Sequence, residues 1–432
     1  MKGTTMRHLK VFAIAAASAF AMAACSAGAS NEASSPSDPV ELTFQSLSDQ
    51  SGAIEVTKEI VDSWNKEHPN VQVKIVPAGW DGIYDKLITQ FNAGAAPDII
   101  HYEAASIVAF ARDGYLADLT ELLDSKFVSD VPKGVMGSVT VDDKIVAAPT
   151  ELQSYVVFAN KTLLDQAGVT IPTGDTMKWS ELQEIAKATT KGDVFGLGWG
   201  LKSPTAAMMA MGPQFDGTFF EGTGREATIK VADGELSLPQ IVHDMAFKDQ
   251  TLQPLSLTQS GSEVLASFYA GQVAMTIQGS YQAANIAKDA PEGFEWVVLP
   301  PLEGSAGAKQ AANPQTLSVN VDSKHAEEAA KFINYFVQAE NLAKINEADA
   351  LIPASAAAQD IMAKNLSDQP AWETILKSGK YMTDAPYLFA DFYGQWKDTV
   401  ATPAFQQYFA QEIERDQLQQ QLTSGWNDIS GQ

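Results

Sequence analysis

A chain of 432 residues with 45% hydrophobic content is globular and too long for one compact core, so two domains are expected. Acidic residues outnumber basic ones by 53 to 29, for a net charge of −24, which argues against nucleic acid or an anionic lipid surface as a partner held by charge. The same excess weakly disfavours anionic ligands and leaves neutral ones unpenalised.

The chain opens with a basic stretch (Lys2, Arg7, Lys10) and an apolar run of 14 residues from Val11 to Ala24. A positive start, an apolar middle and small residues at the cut mark residues 1–24 as a secretory signal peptide. The run is short and Ala-rich for a bilayer span. It ends in Met22-Ala23-Ala24-Cys25, which resembles a bacterial lipobox, where the cysteine becomes the lipid-bearing N-terminus after cleavage. A chance cysteine is the alternative, disfavoured because Cys25 is the only cysteine and sits at the predicted cut. Residues 25–40 read as a flexible tether. One acyl chain, palmitate for instance, would hold the protein only weakly on a membrane. With no second thiol, no disulfide is expected.

Folding is expected to begin near Val40. Glu41 to Gln45 alternates as a strand, and Val56, Ile60, Val61 and Trp64 form the apolar stripe of a helix. His68-Pro69-Asn70 stops it before a second strand, Val71 to Val76. After Trp80-Asp81-Gly82 a helix runs through Tyr84, Leu87, Ile88 and Phe91 to a stop at Asn92-Ala93-Gly94. Pro97 to Glu103 reads as a buried strand. This alternation predicts an α/β layer with a parallel sheet. Further strands are expected up to Glu151, at Tyr155 to Lys161, Val194 to Trp199, Val273 to Ile277, Glu295 to Pro301 and Thr316 to Val321. Helices are expected at Trp179 to Thr189, around Met208 and Ile241, at Ser262 to Ala270 and at Ala326 to Gln338, and the remainder is mainly helical. Crossings between two lobes fall near Pro149 and at Pro300-Pro301.

The five histidines (His8, His68, His101, His243, His325) are far apart in sequence, so neither a metal site nor a cofactor is expected. No Gly-x-Ser-x-Gly, His-Glu-x-x-His or phosphate-loop motif occurs. A pair such as Glu103 and Glu151 could serve a glycoside hydrolase, although 53 acids always provide some suggestive pair. A lipoprotein that binds a peptide, polyamine or metal is a further alternative.

Several short motifs then fall into a known order. His68-Pro69-Asn70-Val71-Gln72-Val73, Tyr84-Asp85-Lys86-Leu87, Ala95-Ala96-Pro97-Asp98-Ile99 and Gly114-Tyr115-Leu116-Ala117-Asp118-Leu119-Thr120 resemble family 1 extracellular solute-binding proteins. These are receptors of bacterial ABC sugar importers. Phe158-Ala159-Asn160-Lys161, Trp179-Ser180-Glu181-Leu182, Gly271 to Ser280 and Leu351-Ile352-Pro353-Ala354 extend the match over nearly the whole mature chain. The resemblance implies a two-lobe periplasmic-binding-protein-like (type II) α/β fold with hinge-linked lobes, residues 41–150 plus 301–345 and residues 151–300 plus 346–432. It implies a monomeric, non-catalytic, extracytoplasmic receptor, anchored to the cell membrane through Cys25. Such a receptor captures a carbohydrate, with an oligosaccharide favoured, and delivers it to ABC permease subunits.

A sugar offers apolar C–H faces and a rim of hydroxyls, so its site needs aromatic rings together with carboxylates or amides. Trp64, Trp179 and Trp296 read as core. Trp80, in a loop after a strand, and its neighbour Asp81 are candidates for the cleft. Tyr281, after Gly279-Ser280, stands where relatives often carry a sugar-stacking Trp. Trp199 lies between glycines that could let a ring approach a ligand, and Tyr387 matches a C-terminal aromatic of the family. Glu103 stands where relatives often place an acid. Glu151 and Gln153 share one face beside the first crossing. Ser46, Asp49, Gly279, Ser280 and Asn313 complete the candidate set.

Overall fold

The computed structural model describes residues 39–80 and 82–432. The expected leader, the lipidation site Cys25, the tether up to Asp38, and Asp81 lie outside the described residues. The first elements are strand β1 (Val40–Ser46), helix α1 (Ser51–Glu67), strand β2 (Val71–Pro77), helix α2 (Ile83–Asn92), strand β3 (Ile99–Glu103) and helix α3 (Ala104–Arg112). In β1, Leu42 and Phe44 are buried while Glu41 is exposed. Helix α1 buries Thr57, Ile60, Val61 and Trp64 along one stripe, with Val56 half-buried at its margin. The Trp64 indole N–H donates to the Val71 carbonyl at 2.9 Å. Asn65 takes both backbone groups of Val73, donating to its carbonyl at 2.9 Å and accepting from its N–H at 2.7 Å. These side-chain bonds set the angle at which the helix returns to the sheet.

β2, β1 and β3 run parallel, as the alternation predicts. The rest of the sheet does not. Gln315–Val319 runs antiparallel to both β3 and Ala148–Leu152, and Ile352–Pro353 pairs antiparallel with Ala148–Leu152. The first sheet is therefore mixed, with six strands. The reason is connectivity: the added strands carry the chain to or from the other lobe and have no crossover helix to force parallel pairing. The helix Ala326–Phe336 returns to the face that α1 covers, placing Phe332 5.7 Å from Phe44 and 5.6 Å from Trp64.

The second sheet has the order Trp296–Leu299, Tyr155–Asn160, Val273–Gly279, Phe195–Trp199. Val273–Gly279 is buried along its whole length, antiparallel to Tyr155–Asn160 and parallel to Phe195–Trp199. Beside this sheet, Phe220 packs edge-on against Trp396 and Trp426 at 5.1 and 4.7 Å. Both indoles donate to backbone carbonyls, of Leu422 and Ala227, so these two tryptophans are core.

Two residues, Gln153 and Ser154, separate Ala148–Leu152 on the first sheet from Tyr155–Asn160 on the second. The Ser280 N–H donates to the Ser154 carbonyl at 2.7 Å, and the Ser154 and Ser378 hydroxyls lie 2.6 Å apart. The expected break at 345/346 falls inside the helix Ala339–Asp349, which packs on α1. Ile352–Pro353, expected in the second lobe, pairs on the first sheet, so the chain leaves that sheet later than its sequence suggests. Among the described residues no helix is long and apolar enough to cross a membrane.

Candidate functional site

Parallel strands end on one edge of a sheet, and loops that leave that edge converge there. Asp49 follows β1, Trp80 follows β2 and Glu103 ends β3. All three line a cleft of about 500 Å³, within the usual range for a small-molecule site. Glu151, Gln153, Asn313, Gln315 and Asp349 continue this wall. Facing it are Tyr155, Tyr281, Tyr387, Tyr393 and Lys397, with Ala206 and Ala210 leaving space between the rings. Eight of the sequence-derived candidates therefore share one cleft: Asp49, Trp80, Glu103, Glu151, Gln153, Tyr281, Asn313 and Tyr387.

Four other candidates do not line it. Trp199 is 2% exposed and stacks on Trp179 at 6.1 Å. The glycine after it serves packing, because a Cβ at Gly200 would come within 2.3 Å of the Gly261 backbone nitrogen. Ser46 is buried and bonds Ser48, shaping the loop that leads to Asp49. Ser280 is fully buried, and its hydroxyl accepts from the Ser154 N–H at 3.3 Å. Gly279 provides room: a Cβ there would lie 2.4 Å from the Tyr281 ring, which folds back over it. Asp81 is outside the described residues.

The acidic wall is held by amides. The Asn313 side chain donates to Glu103 Oε2 at 3.1 Å and accepts from the Ala105 N–H at 3.2 Å. The neighbouring His101 is buried. Its Nδ1 accepts from the Leu47 N–H at 3.1 Å, so Nε2 carries the proton and donates to Gln315 Oε1 at 2.6 Å. Burial holds His101 down at about 4, against the upward pull of its bond to Gln315. It is neutral at ordinary pH, and its 3.9 Å approach to Glu151 Oε2 is not an ion pair. Burial, followed by the charges of Asp349 and Asp49, pushes the Glu151 carboxyl well up. Burial and Asp49 raise Asp349 to about 6.

The opposite wall is aromatic. Tyr155 is pinned by Gln310, which accepts from its N–H at 2.8 Å and donates to its carbonyl at 2.9 Å. Burial raises the Tyr155 hydroxyl to about 12, with Tyr281 contributing. Tyr387 and Tyr393 lie 4.8 Å apart, and burial raises both, so the rings act as neutral hydrogen-bonding groups. Tyr281 is 38% exposed, the openest ring of this wall. On the other side Trp80 packs edge-on to His101 at 6.1 Å, which keeps its ring at the rim.

The sequence reading missed Tyr155, Tyr393, Gln310, Gln315, Asp349 and Lys397. Tyr155 was accessible, being the first strand residue after the crossing that carries Gln153. Asp349 left a weaker signal: an acid in the last turn of a helix opposes the helix dipole. The others reach the cleft only through long-range packing. Among the described residues, no group of three His, Cys, Asp or Glu could hold a metal ion.

A family model described as bacterial extracellular solute-binding protein matches residues 46–343. The chain is 34% identical over 393 residues to an uncharacterized lipoprotein in the oleD 5' region of Streptomyces antibioticus, covering 90% of this chain and 86% of that one. It is 24% identical over 378 residues to the galactooligosaccharide-binding protein of Bacillus subtilis, covering 86% of this chain and 84% of that one. In structure it is similar to the sugar-binding protein MalE of Xanthomonas citri, with a TM-score of 0.80 at 18% identity, covering 91% of this chain and 98% of that one. With its two α/β lobes and the cleft between their sheets, the chain belongs to the bacterial extracellular solute-binding protein family.

Proposed function

We propose that the protein is a lipid-anchored receptor that captures a carbohydrate in this cleft and delivers it, chemically unchanged, to an ABC permease. The observation that carries the reading is the pairing of a tyrosine wall with a carboxylate-and-amide wall across about 500 Å³. Rings suit the C–H faces of a sugar, and carboxylates and amides suit its hydroxyls. Five rings (Trp80, Tyr155, Tyr281, Tyr387 and Tyr393) favour a ligand of several sugar units. The names of the Bacillus and Xanthomonas relatives support a saccharide. The ligand-binding set is Asp49, Trp80, Glu103, Glu151, Gln153, Tyr281, Asn313 and Tyr387, joined by Tyr155 and Tyr393.

The two lobes close as a hinge about the Gln153–Ser154 crossing, so a ligand that touches both walls favours the closed form. Cys25 carries the lipid and holds a monomeric receptor on the outer face of the cell membrane. The relative named as a lipoprotein supports that anchor. A thermal-shift screen over mono- and oligosaccharides tests the ligand class, since a ligand of the native state raises Tm. An oligosaccharide is expected to give the largest shift and to be recovered intact. A shift with a non-sugar solute alone, or recovery of fragments, would overturn the reading. Cys25→Ala is expected to release the protein from membranes into the soluble fraction.

A further inference from the structure

Among the described residues, the cleft is lined by four acids (Asp49, Glu103, Glu151 and Asp349) and one base, Lys397. Lys397 already has Asp398 beside it at 3.8 Å. Glu103 has its amide partner in Asn313. Glu151 differs: it is 4% exposed, and its Oε1 has no hydrogen-bond partner. Three elements face it with titratable groups: His101 from β3, Asp349 from the helix Ala339–Asp349, and Asp49 from the loop after β1. His101 is neutral and gives its proton to Gln315, so the one compensation on this wall is a proton held by Glu151 and shared with Asp349.

A sugar hydroxyl could donate one hydrogen bond to Glu151 and would leave the carboxyl pair dependent on a shared proton. A primary ammonium offers three donors and a full positive charge. We propose that the saccharide this cleft takes bears a protonated amine, seated against Glu151 and Asp349 while the tyrosines hold the sugar faces. The proposal rests on the carbohydrate reading above and narrows it to amino sugars. Capture of the cation requires the carboxyl pair to be ionised. Burial and Asp349 push Glu151 well up and Asp349 itself is raised to about 6, so protons compete with the amine and binding releases a proton to solvent, increasingly as pH falls.

The test is calorimetry on the full chain purified in detergent, with pairs of saccharides that differ only by amine for hydroxyl. Suitable pairs are glucosamine with glucose, galactosamine with galactose, and chitosan oligomers with cello-oligosaccharides. In at least one pair the amine is expected to bind about tenfold or more tighter at pH 7, a preference worth one pKa unit of charge compensation. That preference is expected to shrink at pH 5, and buffers of different ionisation enthalpy should report proton release. In Glu151→Gln and Asp349→Asn the ratio should collapse toward one. Equal or tighter binding of the neutral members would overturn the amine and leave the carbohydrate reading standing. An amine preference unchanged in both variants would also overturn it. If no saccharide binds, with or without an amine, both readings fall together.

Discussion

The carboxylate wall and the tyrosine wall of the cleft differ in how the chain supplies them. Asp49, Trp80 and Glu103 each come from the carboxyl end of a neighbouring parallel strand, so one local rule brings them together. Tyr155 and Tyr281 stand beside adjacent strands of the second sheet, where Tyr155 is opposite Gly279. Tyr387 and Tyr393 arrive from a C-terminal segment more than one hundred residues beyond Tyr281. That segment is tied to the first lobe, because Arg112 of α3 donates to the Phe389 carbonyl at 2.6 Å and pairs with Asp391 at 2.7 Å. Asp349 apart, the acidic wall is thus a property of one sheet edge, whereas the aromatic wall exists only when distant segments pack. The acids also oppose one another, while the rings support one another.

Four experiments bear on this contrast. The largest effect is expected from Trp199→Ala, which empties a buried site beside Trp179 and should cost about 3–5 kcal/mol of stability. Denaturant unfolding measures it, and ligand affinity should stay within about twofold, since the ring is away from the cleft. An affinity loss comparable to that of a cleft tyrosine would return Trp199 to the site. Next, Tyr281→Ala removes the most exposed ring and should weaken ligand binding by about 1.5–3 kcal/mol with little change in folding. Unchanged calorimetric affinity would show that the aromatic wall is only scaffold.

The third experiment concerns repulsion on the acidic wall. Asp349 titrates at about 6 in the fold against 3.8 when unperturbed. The native state therefore holds more protons than the unfolded chain across that window, and stability contributed by this group falls as pH rises from about 4 to 6. Asp349→Asn should then gain about 1–2 kcal/mol at pH 7, with the gain shrinking toward pH 4. Denaturation curves at both values check the sign. A variant less stable than the parent at pH 7 would refute the cost of burying this charge beside Asp49. The smallest effect is expected from Glu103→Gln. Its amide oxygen can still accept from Asn313, so affinity should drop by only about 1 kcal/mol. A much larger loss would mean that the Glu103 charge itself holds the ligand.

Much of the framework is legible from residue patterns. The α1 stripe, the Val71–Pro77 strand and the Asn92–Gly94 stop follow from side-chain period and turn chemistry, which act over a few residues. The strand-end candidates share that local logic. Trp199 was misread because its flanking glycines look the same whether they admit a ligand or the protein's own core, and here Gly200 admits the Gly261 backbone and Gly198 the Val264 and Val273 side chains. The direction of Gln315–Val319 was not legible, since alternation is blind to whether a strand returns from the same lobe or the other one.

Chain order alone thus determined which segments become strands and helices, the acids and the ring that gather where β1, β2 and β3 end, and the leader-like start with its single cysteine. Tertiary structure decided which rings face those acids, that Asp349 stands against Glu151, and that Ile352–Pro353 stays on the first sheet. The reason is range. Hydrophobic period and capping act between residues that are neighbours in sequence, whereas a cleft is made of side chains that become neighbours only after two sheets have formed and the chain has crossed between them.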